Sequence, residues 1–296
     1  MELVALFYLI DEYCKDFEPK WLATQLSSGE KKRLRASSLS LSEILTIIVY
    51  FQMSNHRTFK GYYTKYVLIH LKDDFPNLVS YGRFVELQSG VFAPLFFLLV
   101  SLFGESGMAN FVDSTTIKVC DNHRIPRHKV FAGIAQRGKS SMGWFYGFKL
   151  HLVVNDQGEI VSFSLTPGNV ADSNKQVMLH LVRQLTGYLF ADRGYISKDL
   201  FLSMLDIGVK LVTGIRKNMK NYLMPLWEKL MLRKRGIIET INDQLKNISQ
   251  IEHTRHRSPT NFFVNLVSGL IAYQLQPKKP RIHLTTEEKR LLTQSF

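Results

Sequence analysis

Apolar residues follow two different periods along this chain, and the change falls near residue 107. Before it they recur every three or four positions, the spacing of helices. After it they gather into short runs and alternations, the spacing of strands. The opening MELVALFYLIDEYCKDF reads as an amphipathic helix and not a leader, because Glu2, Asp11 and Glu12 interrupt it and no basic segment precedes it. Ser40 to Glu43 fits a capping box, Ser-x-x-Glu, that opens ILTIIVYFQM and ends near Ser54 and Asn55. A basic, aromatic segment from His56 to Tyr66 leads into VLIHL. After the breaker FPN, Ser80 caps YGRFVELQ with Tyr81 and Arg83 in its first turn. The longest apolar run, Val91 to Phe103, contains Pro94 and falls short of the roughly twenty residues that span a bilayer, so it reads as a buried core helix.

Past Met108 the elements alternate. MANFVD (108–113) reads as a buried strand. Asn122 to Ser141 is rich in glycine and cations, lacks periodicity and reads as a mobile loop over a polyanion. Trp144 to Val154 and Glu159 to Leu165 form an antiparallel hairpin about the turn NDQG. A helix capped by Asp172 or Ser173 runs to about Leu185. Then come a strand ending at Asp192, a helix from Lys198 to Ile207, a strand from Val209 to Thr213 and a helix from Leu232 to Lys246. The expectation is an α/β protein: an all-helical region at 1–107, a mixed five-stranded sheet flanked by helices at 108–276, and a basic tail at 277–296. The three short N-terminal helices suit either a helix-turn-helix reader of DNA or a plain helical bundle.

Charge narrows the partner. The 38 Lys and Arg outnumber 25 Asp and Glu, giving +13 and a pI near 9.6. Such a surplus suits a polyanion, because neutralising phosphates releases condensed counterions. Nucleic acid leads; a membrane is disfavoured because no helix joins a cationic face to an uninterrupted apolar one. Two cysteines, Cys14 and Cys120, with no CxxC or zinc spacing, exclude a disulfide framework and fit a reducing cytoplasm.

The candidate chemistry lies in three acids. Asp113 and Asp192 each end an apolar run, where open α/β sheets place their sites. Glu239 sits on a helix with Arg235 four residues before it and Lys246 seven after, anchored by Ile237, Ile238, Ile241 and Leu245. An exposed Arg–Glu pair worth a few tenths of a kcal/mol is the bland alternative for that face. The separations of 79 and 47 residues mean that the acids meet only through tertiary folding. Asp172, at a helix start, reads as a cap. Lys149 and His151 share a strand face, to touch a phosphate or to cover the sheet. Asp243 is either a helper ligand or a partner of Lys246.

FVDSTTIKVC, LFADRGY and the Arg235, Glu239, Lys246 spacing resemble the three acidic motifs of DDE transposases of bacterial insertion sequences, most of all insertion-sequence family 982. GWFYGFKLHL and TPGNVADSN extend the resemblance over most of the chain. One position departs: Leu232 stands where related transposases carry a tyrosine.

The resemblance implies a ribonuclease-H-like catalytic domain, and the element order agrees with that fold. It implies Asp113, Asp192 and Glu239 as catalytic residues and ligands of two Mg²⁺ ions, with Mn²⁺ able to substitute. DNA contacts are expected from Arg235, Lys246, Arg193, Lys118, Lys149, Tyr81, Arg83, Arg57, Lys60, Arg137 and Lys139. The implied partners are double-stranded DNA, as transposon ends and target, and further copies of the chain in a dimer or higher oligomer on DNA, in the nucleoid of a bacterial cytoplasm. A DNA-binding protein without catalysis and a general ribonuclease-H-like nuclease are the alternatives.

Overall fold

A computed structural model describes residues 1–28, 37–216, 219, 223–252 and 256–293. In chain order the helices are α1 (Leu3–Ser27), α2 (Leu41–Met53), α3 (Phe59–Tyr62), α4 (Leu68–His70), α5 (Tyr81–Ser89), α6 (Phe92–Ser101), α7 (Lys175–Leu181), α8 (Lys198–Asp206), α9 (Leu226–Lys234), α10 (Gly236–Asn247), α11 (Pro259–Gln274) and α12 (Thr286–Thr293). A π-helical turn, Tyr63–Val67, joins α3 to α4. The strands are β1 (Ala109–Cys120), β2 (Gln136–Ser140), β3 (Gly143–Asn155), β4 (Ile160–Pro167), β5 (Gly187–Ala191) and β6 (Val209–Thr213). The chain divides into a helical unit (1–102, 245–251 and 256–277) and a sheet unit (103–244, 252–255 and 278–296).

In the helical unit the capping box forms as the sequence predicts. Ser40 Oγ accepts the Glu43 N–H at 3.2 Å and the Glu43 carboxylate accepts the Ser40 N–H at 2.6 Å, satisfying donors that the first helical turn leaves free. The tyrosines of the basic, aromatic segment turn inward: Tyr62 and Tyr63 are fully buried and donate to the carbonyls of Ile47 and Val79. Arg57 and Lys60 stay exposed. The expected core helix is buried on one side only, since Leu95, Leu98 and Leu99 are covered while Phe97 and Val100 are exposed. Helix α11, expected in the second domain, packs with α2 and α6. Gln52 Nε2 donates to Asn265 Oδ1 at 2.9 Å and to Ser268 Oγ at 3.0 Å inside that contact. No single helix among the described residues is long and apolar enough to cross a membrane.

The sheet runs β2-β3-β1-β5-β6, with β4 continuing along the edge of β3 that β2 begins. Strands β1, β5 and β6 are parallel; β3 is antiparallel to β1, β2 and β4. Six strands replace the five expected. The addition, β2, came from a stretch read as loop: Arg137 and Lys139 face solvent and only Gly138 is buried, so no apolar alternation announces it. Strand β1 also runs past Asp113 to Cys120, because Ser114, Thr115 and Thr116 are held by β3. Helices α7 and α8 cover one face, where Met178 and Met204 are fully buried among Val112, Leu189 and Val209. Each such side chain contributes about 1.5–3 kcal/mol through burial.

Two connections settle differently from expectation. Asn174, not Asp172 or Ser173, caps α7, accepting the Val177 N–H at 3.1 Å, and the helix stops at Leu181. The residues after Pro277 dock on the sheet unit: Ile282 N–H donates to the Asp156 carbonyl, and Lys234 pairs with Glu288 at 2.9 Å. Gly158, at φ +76°, lets the NDQG turn approach Pro280 where a Cβ would collide with its carbonyl. The last three residues of the expected tail lie outside the described residues.

Candidate active site

Register brings the first two acids together. Parallel pairing of β1 with β5 aligns Ala109 with Tyr188, Asn110 with Leu189 and Phe111 with Phe190. Two residues beyond that last pair stand Asp113, still on β1, and Asp192, one residue past the end of β5. Neighbouring strands lie about 4.8 Å apart, so the two backbones run close together where β5 ends. Asp113 is half-buried and Asp192 exposed.

The third acid arrives on α10. Arg235 caps α9 and Gly236 opens α10, so the single helix expected from Leu232 to Lys246 is divided at that point. The i, i+4 relation survives the division: Arg235 Nη2 donates to Glu239 Oε1 at 2.7 Å. Ile237, Ile238 and Ile241 bury the opposite face, which turns Glu239 outward, 60% exposed. Lys246 occupies the last turn of α10.

The Asp113 carboxyl feels the charge of both other acids. The Asp113 carboxyl is pushed up to about 6, first by burial and then by the negative charges of Asp192 and Glu239, while the Ser114 N–H and the Arg235 guanidinium oppose the shift. Tyr195, three residues past Asp192, has a buried hydroxyl close to the side chain of Ser114. Burial, followed by the charges of Asp113, Asp172 and Asp192, holds its pKa well above the ordinary phenol range.

Those residues suit a divalent cation by donor type, since hard ions take carboxylate oxygens. They suit it by charge as well, because a cation relieves the repulsion that raises Asp113. Among the described residues no three His, Cys, Asp or Glu side chains already form a coordinating cluster. Asp192 Oδ1 instead accepts the Gly194 N–H at 2.5 Å, and Glu239 holds Arg235.

Beside Asp192 a cleft of about 830 Å³ is lined by Arg193, Lys229, Arg233 and Arg235, with Leu232 among its walls. Arg235 Nη1 is buried and has no hydrogen-bond partner among the described residues, leaving a donor suited to an anionic oxygen. Lys229 and Arg233 carry no motif and escaped the sequence reading; only their i, i+4 spacing on a helix hinted at a shared face.

The remaining predicted contacts are dispersed. Lys118 is exposed on β1, its N–H donating to Glu252 at 3.0 Å. Arg137 and Lys139 lie over the half-exposed ring of Trp144, at 5.0 and 5.8 Å from its centroid. Lys149 is buried and donates to Asp172 Oδ1 at 3.0 Å, and His151 is fully buried against Thr166 at 2.9 Å. Arg57, Lys60 and Arg83 are exposed and Tyr81 half-buried in the helical unit, with Arg83 bonded to Glu86 at 2.8 Å.

Residues 103–259 match the family model described as the transposase DDE domain. No curated protein matches the chain. Among solved structures, a piggyBac transposase synaptic complex with hairpin DNA is 12% identical with a TM-score of 0.50, covering 99% of this chain and 79% of that one. That likeness is one of fold: a sheet flanked by helices of the ribonuclease-H kind, preceded by a helical region. A simian T-cell lymphotropic virus intasome bound to PP2A regulatory subunit B56 gamma is 14% identical with a TM-score of 0.34 over 62% of each chain, too distant to bear on the fold.

Proposed function

Because the chain belongs to the transposase DDE domain family, a DNA-cleaving and DNA-joining family that works with divalent metal ions, we propose that it is the transposase of a bacterial insertion sequence of the 982 kind, acting on its own terminal inverted repeats in the cytoplasm. What supports the reading is the parallel pairing of β1 with β5, which runs to two residues short of Asp113 and Asp192, together with the charge of Glu239 acting on the Asp113 carboxyl. In this reading the three carboxylates hold two Mg²⁺ ions, which when bound activate the attacking oxygen and stabilise the leaving 3′-oxygen.

The chain's own cations then do the positioning. Arg235, with Nη2 on Glu239 and Nη1 without a partner among the described residues, orients a phosphate at the third acid. Arg193 and Lys118, beside the first two motifs, together with Lys246, fix the strand through its phosphates, and such contacts set register without reading sequence. Arg137 and Lys139 on the sheet unit, and Arg57, Lys60, Tyr81 and Arg83 on the helical unit, serve duplex binding. Lys149, buried on Asp172, is the one predicted contact whose surroundings favour a structural part. Two ends must be held at once for joining, which favours a dimer or higher oligomer on DNA.

The test is cleavage of duplexes carrying the sequences that flank this reading frame. The proposal expects divalent-metal-dependent nicks at the element ends and joining of those ends to target DNA. Binding without cleavage would support the inactive DNA-binding reading, and cutting without regard to sequence would support a general nuclease.

A further inference from the structure

Asp172 stands apart from the three acidic motifs, and the cap its position suggests is supplied by Asn174. Its carboxylate is committed elsewhere. Oδ1 accepts the Ser114 hydroxyl at 2.6 Å across 58 residues of sequence and the Lys149 ammonium at 3.0 Å across 23. Lys149 is 8% exposed, so this ion pair is screened by protein on its cationic side. Ser114 follows Asp113 directly, and its N–H acts on the Asp113 carboxyl. The result is a chain of contacts, Lys149 to Asp172 to Ser114 to Asp113, which ends on the most buried of the three acids.

We propose that Asp172 is a positioning residue for the acidic site: anchored by Lys149, it clamps Ser114 and thereby fixes the β1 backbone that aims Asp113 at its metal. The inference rests on the metal-dependent reading above and adds to it a fourth acid that acts through Ser114. A carboxylate is needed here because the serine hydroxyl donates while the buried lysine requires a counter-charge, and one oxygen meets both demands. Groups that orient a metal ligand in this way typically cost 10–100-fold in metal affinity or activity when removed.

The experiment compares Ser114→Ala, Ser114→Thr, Asp172→Asn and the Ser114→Ala/Asp172→Asn double variant of the full chain. Mn²⁺ affinity is read by electron paramagnetic resonance without DNA, and kcat and KM by cleavage of end-sequence DNA. Ser114→Ala and Asp172→Asn are expected to weaken Mn²⁺ binding and kcat about ten-fold with KM for DNA unchanged, and Ser114→Thr, which keeps the hydroxyl, to stay within about two-fold of wild type. The double variant should be no worse than the poorer single, because both substitutions cut one chain of contacts.

Wild-type Mn²⁺ affinity in Ser114→Ala, or fully additive losses in the double variant, would overturn the proposal while leaving the transposase reading intact. A wild-type protein that binds Mn²⁺ but cuts no DNA would overturn the transposase reading, and the affinity series would still decide the role of Asp172. If Asp172→Asn fails to fold with Lys149 left unpaired, Ser114→Ala, which removes a single hydroxyl, carries the decision.

Discussion

Replacing Asp113 with asparagine should make the metal-free protein more stable while removing its chemistry. Burial pushes the folded-state carboxyl up to about 6 from the ordinary 3.8, so above pH 6 ionised Asp113 opposes folding by about 3 kcal/mol. The sign is opposite to the usual acid. Between pH 3.8 and 6 the folded state holds more protons than the unfolded one, so this group's contribution falls as pH rises and is flat above 6.

Asp113→Asn keeps an oxygen for the Ser114 N–H and removes the charge that burial, Asp192 and Glu239 penalise. Thermal melts in chelator at pH 7.5 should therefore show Asp113→Asn above wild type, by about 2–4 °C for each kcal/mol realised. The gap should close as the pH is lowered toward 4, and added Mg²⁺ or Mn²⁺ should raise the melting point of wild type alone. An Asp113→Asn protein no more stable than wild type at pH 7.5, or a gap that widens in acid, would refute the argument.

Other expectations follow from the same geometry. His151, fully buried with its pKa pulled to about 4 by burial, keeps its neutral form at a gain that is complete above 6.5 and lost as pH falls toward 4, about 3 kcal/mol in all; urea melts of Asp113→Asn between pH 7 and 4 should show that loss, and a flat profile would contradict it. Binding to duplex DNA should weaken steeply with salt because phosphate contacts release counterions, and a log–log slope near zero would point to a protein or membrane partner instead. Arg235→Ala and Lys246→Ala should weaken binding to the cleaved end as well as slow cleavage; an exposed ion-pair helix would give a small stability change and normal activity in both.

What could be read from the sequence was what repeats locally. The apolar runs ending at Asp113 and Asp192 needed only their own composition to be recognised as strands, and the Ser40–Glu43 box only a four-residue spacing. Arg235 and Glu239 meet as their spacing implies, although the helix around them breaks at Gly236. Strand β2 was hidden because one of its faces is Arg137 and Lys139 and the other Gln136, Gly138 and Ser140, with no apolar side chain on either. Asp172 was misread because its partners lie 58 and 23 residues away, and a carboxylate two residues ahead of a helix looks like a cap until Asn174 is seen holding Val177. Helix α11 gave no sign from its apolar pattern of which unit it would complete; that depended on Gln52 finding Asn265 and Ser268.

The central claim, that Asp113, Asp192 and Glu239 form one metal-dependent catalytic site, is tested most directly with Glu239→Gln. The change keeps the size and helix propensity of a side chain that is 60% exposed and removes only its charge. Mg²⁺-dependent nicking of end-sequence DNA should collapse by several orders of magnitude, while metal-free affinity for the same DNA stays level or rises slightly as a negative charge leaves the site. Wild-type nicking by Glu239→Gln would contradict the account.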